Sequence, residues 1–344
     1  MRNIDKFRGC LIGGAAGDAL GYAVEFKRED EIFSEYGKKG ITEYDLILDT
    51  DFAEISDDTQ MTLFTAEGLL LAGRKGNSVD YINSIREMYK CWYQTQIEKY
   101  PQKNENLQCR LLNVSELYNR RCPGMTCMSA IREGAKGTIE NPINDSKGCG
   151  GVMRVAPVGL YFCNTPISYE QSDMIGAEAS ALTHGHTLGF IPAAALVHIV
   201  RAVTESDIPL KDAVNDSIVT IEKLFLNAKH IAEFTSIMQK AVQLAESAAD
   251  DLTVIHQLGE GWVAEETLAI AVYCALKYDK DFDKALIASV NHNGDSDSTG
   301  AVCGNILGAY LGYNAIPQKY KKHLELHDLI VEVADNLHNG KETI

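Results

Sequence analysis

Apolar positions recur every three to four residues through 59–72, 78–93, 187–204, 210–226, 228–248, 263–277, 281–290 and 299–312. That period belongs to helices that bury one face. Few β-branched runs alternate with period two. Only ITEYDLIL (41–48) and VMRVAPVGL (152–160) read as short extended pieces, and Pro157 counts against a central strand in the second. The pattern predicts an all-α fold.

Two helices carry an unusual stripe. Gly9, Gly13, Gly17 and Gly21 near the start, and Gly300, Gly304, Gly308 and Gly312 near the end, are spaced by four and so share one face each. Glycine costs about 1 kcal/mol per helical position against alanine, a cost that close backbone packing can offset. The two ends of the chain are therefore expected to meet in the core, which predicts one domain over 1–344 rather than two. The weakly periodic region 96–148 contains Pro101, Pro123 and Pro142 and reads as loops that cover a site.

Composition narrows the class. A formal net charge of -16 leaves no basic footprint for a nucleic-acid backbone. The nine cysteines have no paired CxxC spacing, which disfavours a disulfide framework or zinc ribbon and points to a reducing cytoplasm. At the N-terminus, Arg2, Lys6 and Arg8 precede a small apolar stretch, but Asp5, Asp18 and Glu25 interrupt it short of a membrane span. It reads as mature protein, with no membrane partner expected. With no coiled-coil seam or obvious dimer helix, a monomer is expected.

Candidate chemistry lies in two acidic clusters at helix starts: Ser56-Asp57-Asp58-Thr59 and Asp295-Ser296-Asp297-Ser298-Thr299. One carboxylate suffices for a cap. Two pairs flanked by hydroxyls supply the oxygen-rich shell that hard divalent cations require, whereas four crowded carboxylates without a cation would repel. The second cluster matches an EF-hand loop at positions 1, 3 and 6 but has Ile306 where a bidentate Glu is needed. It also matches the DxDxT of haloacid dehalogenase phosphatases, which needs a preceding parallel strand that a helical chain does not offer. DSKGCGGVMR (145–154) is a glycine-rich turn whose amides could cradle a diphosphate, without the GKS or GKT of a Walker loop. His184 and His186 (THGHT) form an HxH pair, a weak zinc signal on its own.

GDALGYAVEF (17–26), SDDTQMTLFTAEGL (56–69), KGCGGVMRVAPVGL (147–160), ALTHGHTLGFIPAAAL (181–196), GWVAEETLAIAVYCAL (261–276) and GDSDSTGAVCGNILGAYLG (294–312) resemble, in order, the blocks of the ADP-ribosylglycohydrolase family. The resemblance implies a compact, orthogonal multi-helix all-α domain with a central dinuclear cleft. It implies two Mg2+ or Mn2+ ions and hydrolysis of the bond between ADP-ribose and an acceptor on a protein or small molecule.

Carried over residue by residue, Ser56, Asp57, Asp58, Asp295, Asp297 and Ser298 would ligate metal, with Asp297 bridging and Thr299 a weaker candidate. Asp57, Asp58, Asp297 and Glu25 would serve catalysis, Glu25 from a mobile flap. Ser146, Gly148, Cys149, Gly150 and His184 would line the ADP-ribose site, with His186 packed or capping. Arg154 would reach a phosphate or form a buried ion pair. Trp262, Glu265 and Glu266 read as the start of a core helix. Two positions depart from the pattern: many relatives carry Asn where Cys149 stands, and the arginine-specific nitrogenase regulator carries Asp at the position of Ser146. The reading is reversal of mono-ADP-ribosylation on arginine. The alternatives are serine-linked or small-molecule adducts, or a non-catalytic ADP-ribose-binding or crystallin-like structural protein.

Overall fold

The computed structural model describes residues 3–47, 51–74, 80–101 and 108–340. The α-helices among them are α1 (Ile4–Tyr22), α2 (Glu29–Tyr36), α3 (Asp57–Arg74), α4 (Tyr81–Ile97), α5 (Met125–Arg132), α6 (Ala156–Tyr161), α7 (Tyr169–Ala181) and α8 (Thr187–Glu205). They continue with α9 (Leu210–Leu224), α10 (Ile231–Ala245), α11 (Asp251–Leu258), α12 (Ala264–Lys277), α13 (Phe282–Val290), α14 (Ser296–Leu311), α15 (Gln318–Lys322) and α16 (His327–Asn339). No β-ladder occurs among the described residues; extended backbone pairs only in isolated bridges, Ala53 with Leu324 and Gly148 with Val263.

The glycine stripes do what their spacing predicts. Helices α1 and α14 lie antiparallel, Gly9 against Gly308, Gly13 against Gly304 and Gly17 against Gly300, each where a Cβ would strike the opposite carbonyl. Gly21 meets the Ser296 carbonyl in the same way. Asn305 fills the space beside Gly14 and donates to the Cys10 carbonyl at 3.0 Å. The stripe departs from expectation at Gly312, which ends α14 with φ +87 and donates to the Gly308 carbonyl at 2.9 Å. Chain start and chain end thus share one backbone interface, and α12, α13 and α16 pack around it.

Helix α8 has a mean hydropathy of 1.6, long and apolar enough to cross a bilayer, yet 94% of that window is buried inside the protein. Its apolarity is that of a core helix, and it packs on α7, α6, α9, α12 and α14.

Two sequence expectations need correction. The extended piece at 152–160 is a turn followed by α6, with Pro157 in the first helical turn, where a missing amide hydrogen is harmless. Of the stretch 41–48, residues 41–47 are irregular and 48 lies outside the described residues. The start of the expected helix at 78–93 also falls partly outside; the observed α4 begins at Tyr81.

Periodicity also passed over α2, α5, α7, α11 and α16. Helix α7 shows why: YEQSDMIGAEASA has few large apolar residues, and its start is set instead by a reciprocal cap between Ser168 and Gln171.

Candidate active site

The N-termini of α3 and α14 point into one cavity of about 200 Å3. Asp57 and Asp58 open α3, while Asp295 caps α14 by accepting from the Ser298 amide at 3.2 Å. Both helix dipoles favour carboxylates here. The two ends touch where the Ser298 hydroxyl donates to Asp58 Oδ2 at 2.9 Å. Glu25, just beyond α1, joins them, and one oxygen from each of Glu25, Asp295 and Asp297 lies within 4.8 Å of the others. These residues, distant in sequence, form the cluster because the α1–α14 contact brings chain start and chain end together.

Electrostatics make the cluster expensive. Asp57, Asp58 and Asp297 are nearly fully buried, and Glu25 is 9% exposed. Burial pushes the Asp57 carboxyl up to about 8, against the Gly124 amide that donates to it at 3.2 Å. Glu25 rises to about 9 through burial and the charges of Asp295, Asp57 and Asp18. Asp58 and Asp297 also lie well above the usual carboxylate range, through burial first and then neighbouring charge, that of Asp18 and Asp57 on Asp58 and that of Asp58 and Asp295 on Asp297. Among the described residues lining this cavity there is no Lys or Arg. Glu25 Oε2 is buried with no hydrogen-bond partner among the described residues. Like charges buried together with an oxygen unused fit a hard divalent cation. The geometry defines one three-carboxylate cluster.

Other predicted positions distribute around it. Ser56 is off the cavity wall, its hydroxyl accepting from the Asp58 amide at 3.1 Å as a cap. Thr299 turns away, donating to the Ser289 and Asp295 carbonyls at 2.7 and 2.8 Å. The glycine turn is pinned to the start of α12: the Cys149 amide donates to the Trp262 carbonyl at 3.2 Å, and the Ala264 amide to Lys147 at 2.9 Å. Gly148, Cys149 and Gly150 line the cavity. Ser146 stands behind them, its hydroxyl 3.1 Å from that of Thr126. The Cys149 thiol donates to Asp295 Oδ2 at 2.8 Å, and burial raises it well above a normal thiol, which leaves it no thiolate character.

His184 lines the cavity, and burial followed by the Arg154 charge lowers its imidazole to about 3. His186 instead caps α8 through its Nδ1, which accepts from the Leu188 amide at 3.0 Å. Arg154 meets neither expectation: it is fully buried off the cavity and donates to Thr183 Oγ1 at 2.6 Å and the Ala179 carbonyl at 3.2 Å. Its guanidinium lies over the Tyr89 ring, 4.5 Å from the centroid.

Trp262 also departs from expectation. It precedes α12, is 41% exposed and lines the cavity mouth, its ring near-parallel to that of Phe26 at 6.4 Å. Glu265 stays with the core, against Lys147, and Glu266 caps the preceding turn by accepting from the Glu260 amide at 3.0 Å. Loop region 96–148 does contribute to the wall, through Cys122, Gly124 and α5.

One residue to which the sequence assigned no site role proves central. Asp18, fully buried on α1, accepts from the amides of Ser56 at 3.0 Å and Thr59 at 3.0 Å and from the Thr59 hydroxyl. Burial raises it to about 6 against those bonds. It ties α1 to the first turn of α3 and so places Asp57 and Asp58. The signal available was a lone carboxylate inside an apolar, glycine-rich helix, which is costly to bury unless something donates to it.

A larger open cleft of about 790 Å3 lies beyond Arg121, but it mixes Lys321, Lys322 and Arg121 with Glu54 and Glu325. Arg121 bridges both glutamates, so that cleft concentrates no single charge.

The ADP-ribosylglycohydrolase family profile matches residues 1–343. This chain belongs to the ADP-ribosylglycohydrolase family. It is 25% identical to the ADP-ribosylhydrolase ARH3 of Mus musculus over 98% of this chain and 92% of that one. It is likewise 25% identical to the ADP-ribosyl-[dinitrogen reductase] glycohydrolase of Rhodospirillum rubrum, over 94% and 91%. A solved ADP-ribosylglycohydrolase-related protein complex shares the fold, with TM-score 0.65 and 21% identity over 98% of both chains. As a member of this family the chain is a hydrolase of ADP-ribose adducts, and the acidic cluster is its candidate metal site.

Proposed function

We propose that this chain, as one domain, removes ADP-ribose from arginine side chains of proteins, with two Mg2+ or Mn2+ ions in the acidic cluster. The observation that carries the reading is the set of five carboxylates, Glu25, Asp57, Asp58, Asp295 and Asp297, around one cavity with no Lys or Arg among the described residues of its wall. Glu25, Asp295 and Asp297 would hold one ion. Asp57, Asp58, Asp297 and Ser298 would hold the second, with Ser56 keeping Asp58 in place. When bound, the ions supply positive charge that orients the ribose hydroxyls and offsets charge developing as the glycosidic bond breaks.

The chain's own groups do the rest. The turn Gly148–Gly150 receives the nucleotide where a Cβ would intrude: at Gly150 it would lie 3.1 Å from the His184 ring. Ser146 braces that turn from behind. Glu25 would give one carboxylate oxygen to the ion and the other to the proton of an attacking water; its Oε2 has no hydrogen-bond partner among the described residues.

The acceptor preference is supported by the mouth. Phe26 is 68% and Trp262 41% exposed, above an acidic floor. Their rings are near-parallel with centroids 6.4 Å apart, and a planar guanidinium favours aromatic faces and nearby carboxylates. A serine linkage offers neither planarity nor charge.

The test is release of free ADP-ribose from arginine-modified and serine-modified protein, each with Mg2+ and with EDTA. Preferential release from arginine, abolished by EDTA, is expected, and Trp262→Ala should narrow the preference about tenfold. Release from serine alone would overturn the acceptor assignment; none from either in Mg2+ would overturn the hydrolase reading.

A further inference from the structure

His184 sits at the end of a buried chain of hydrogen bonds whose direction can be worked out atom by atom. Arg154 Nη2 lies 2.6 Å from Thr183 Oγ1, and Thr183 Oγ1 lies 2.8 Å from His184 Nδ1. Guanidinium can only donate, so the Thr183 oxygen accepts there. Its own proton then has two destinations, the Ser180 carbonyl at 3.4 Å, with an Nδ1–H donating to the hydroxyl in turn, or the His184 Nδ1 lone pair at 2.8 Å. The Arg154 cation donating to that oxygen makes the hydroxyl a stronger donor and a poorer acceptor, and repels a second N–H aimed the same way, which favours donation to Nδ1. A ring that accepts at Nδ1 while neutral must carry its proton on Nε2.

That edge of the ring faces the cavity. Substituent positions on Gly148 and Gly150 would lie 3.5 and 3.4 Å from Nε2, so the donor stands over the glycine turn. Arg154, Thr183 and His184 are 0%, 0% and 1% exposed, so bulk solvent does not reach the chain. Arg154 itself is held by the Ala179 carbonyl, the Tyr89 face and the Cys127 and Met61 sulfurs, without a carboxylate that could draw it away.

We infer that Arg154 and Thr183 are positioning residues that lock His184 as the Nε2–H tautomer, so that the ring presents a neutral hydrogen-bond donor to a diphosphate or ribose oxygen of the substrate. The inference rests on the ADP-ribose reading for its ligand, but the tautomer belongs to the free protein. A donor without charge suits this cavity, because a cation there would be drawn to the carboxylates instead of the ligand.

Imidazole 15N resonances of the free protein, with His184 assigned by loss of its signals in His184→Asn, read the tautomer directly. The expected result is a protonated Nε2 and an accepting Nδ1. Thr183→Val should give mixed tautomers and weaken ADP-ribose binding about tenfold, the loss of one neutral bond. Thr183→Ser, which keeps the hydroxyl, should restore both, a rescue that a merely packing role for the side chain would not show. A shift of Nε2 on adding ADP but not adenosine assigns the acceptor to the diphosphate; a shift only with ADP-ribose assigns it to the distal ribose. Protonated Nδ1 in the wild-type protein, or Thr183→Val with unchanged tautomer and affinity, would overturn the inference. Failure of the wild-type protein to bind ADP-ribose, with Nε2 still protonated, would instead sink the ligand reading and leave the relay standing.

Discussion

Replacing Gly300 by alanine sets two physical effects of opposite sign against each other. Helix propensity alone favours alanine by about 1 kcal/mol. The structure argues otherwise: a Cβ at Gly300 would lie 2.5 Å from the Gly17 carbonyl oxygen, 2.7 Å from Val290 Cγ1 and 2.9 Å from the Gly17 carbonyl carbon. Val290 can rotate, but the Gly17 backbone cannot. Reaching an ordinary contact of about 3.4 Å requires α1 and α14 to part by about 0.9 Å, and overpacking of this kind costs about 1–3 kcal/mol. The net expectation is destabilisation by up to about 2 kcal/mol, read as a lower denaturation midpoint in urea.

Function should suffer more than stability. Asp18 follows Gly17 and Asp297 stands one turn before Gly300, so the parting occurs where the two helices bring the carboxylates together. Misplacement of reacting groups by ~1 Å costs about a hundredfold in rate. The assay is ADP-ribose release at saturating Mg2+ beside the urea curve. A Gly300→Ala protein that is equally or more stable, with undiminished activity, would refute the claim that the close backbone approach builds the site.

Divalent metal should stabilise the fold, because it binds a cluster that is self-repelling without it. At a concentration 100 times Kd the gain is about 2.7 kcal/mol. With an unfolding entropy of ~2.1 cal/mol/K per residue over 344 residues, that raises Tm by about 4 °C; no shift in scanning calorimetry with Mg2+ or Mn2+ would count against a metal site. A second prediction concerns His198, buried between Asp173 at 2.8 Å and Asp216 at 3.1 Å. Burial opposes its charge, but the Asp173 bond and charge outweigh this and raise its pKa above 6.5. The stability it contributes is therefore full below about pH 6.5 and lost as pH rises through the folded value. The stability difference between wild type and His198→Gln, from urea curves at pH 5.5 to 8.5, should shrink with rising pH; a difference that grows would refute the assignment.

Most of what is local or periodic could be read from the order of residues alone. Long amphipathic helices declared themselves because burying one face imposes a 3.6-residue period. The pairs Asp57/Asp58 and Asp295/Asp297 were legible because helix starts crowd acids and hydroxyls within a few residues. The glycine stripes even foretold that chain start and chain end pack together, since so many helical glycines need a compensating contact.

Relations between segments far apart in the chain emerged only on folding. Asp18 lies in the block GDALGYAVEF, but its part follows from donors on Ser56 and Thr59 that α1 happens to face. Arg154 turned away from the ligand side because Thr183, Ala179 and Tyr89 satisfy it inside, and Trp262 came to the cavity mouth because the turn pinned to α12 leaves its ring outside the core. Pattern records which face of an element is buried, whereas hydrogen-bond direction, the approach of two backbones and the edge of a ring that meets a cavity depend on partners brought near only by folding.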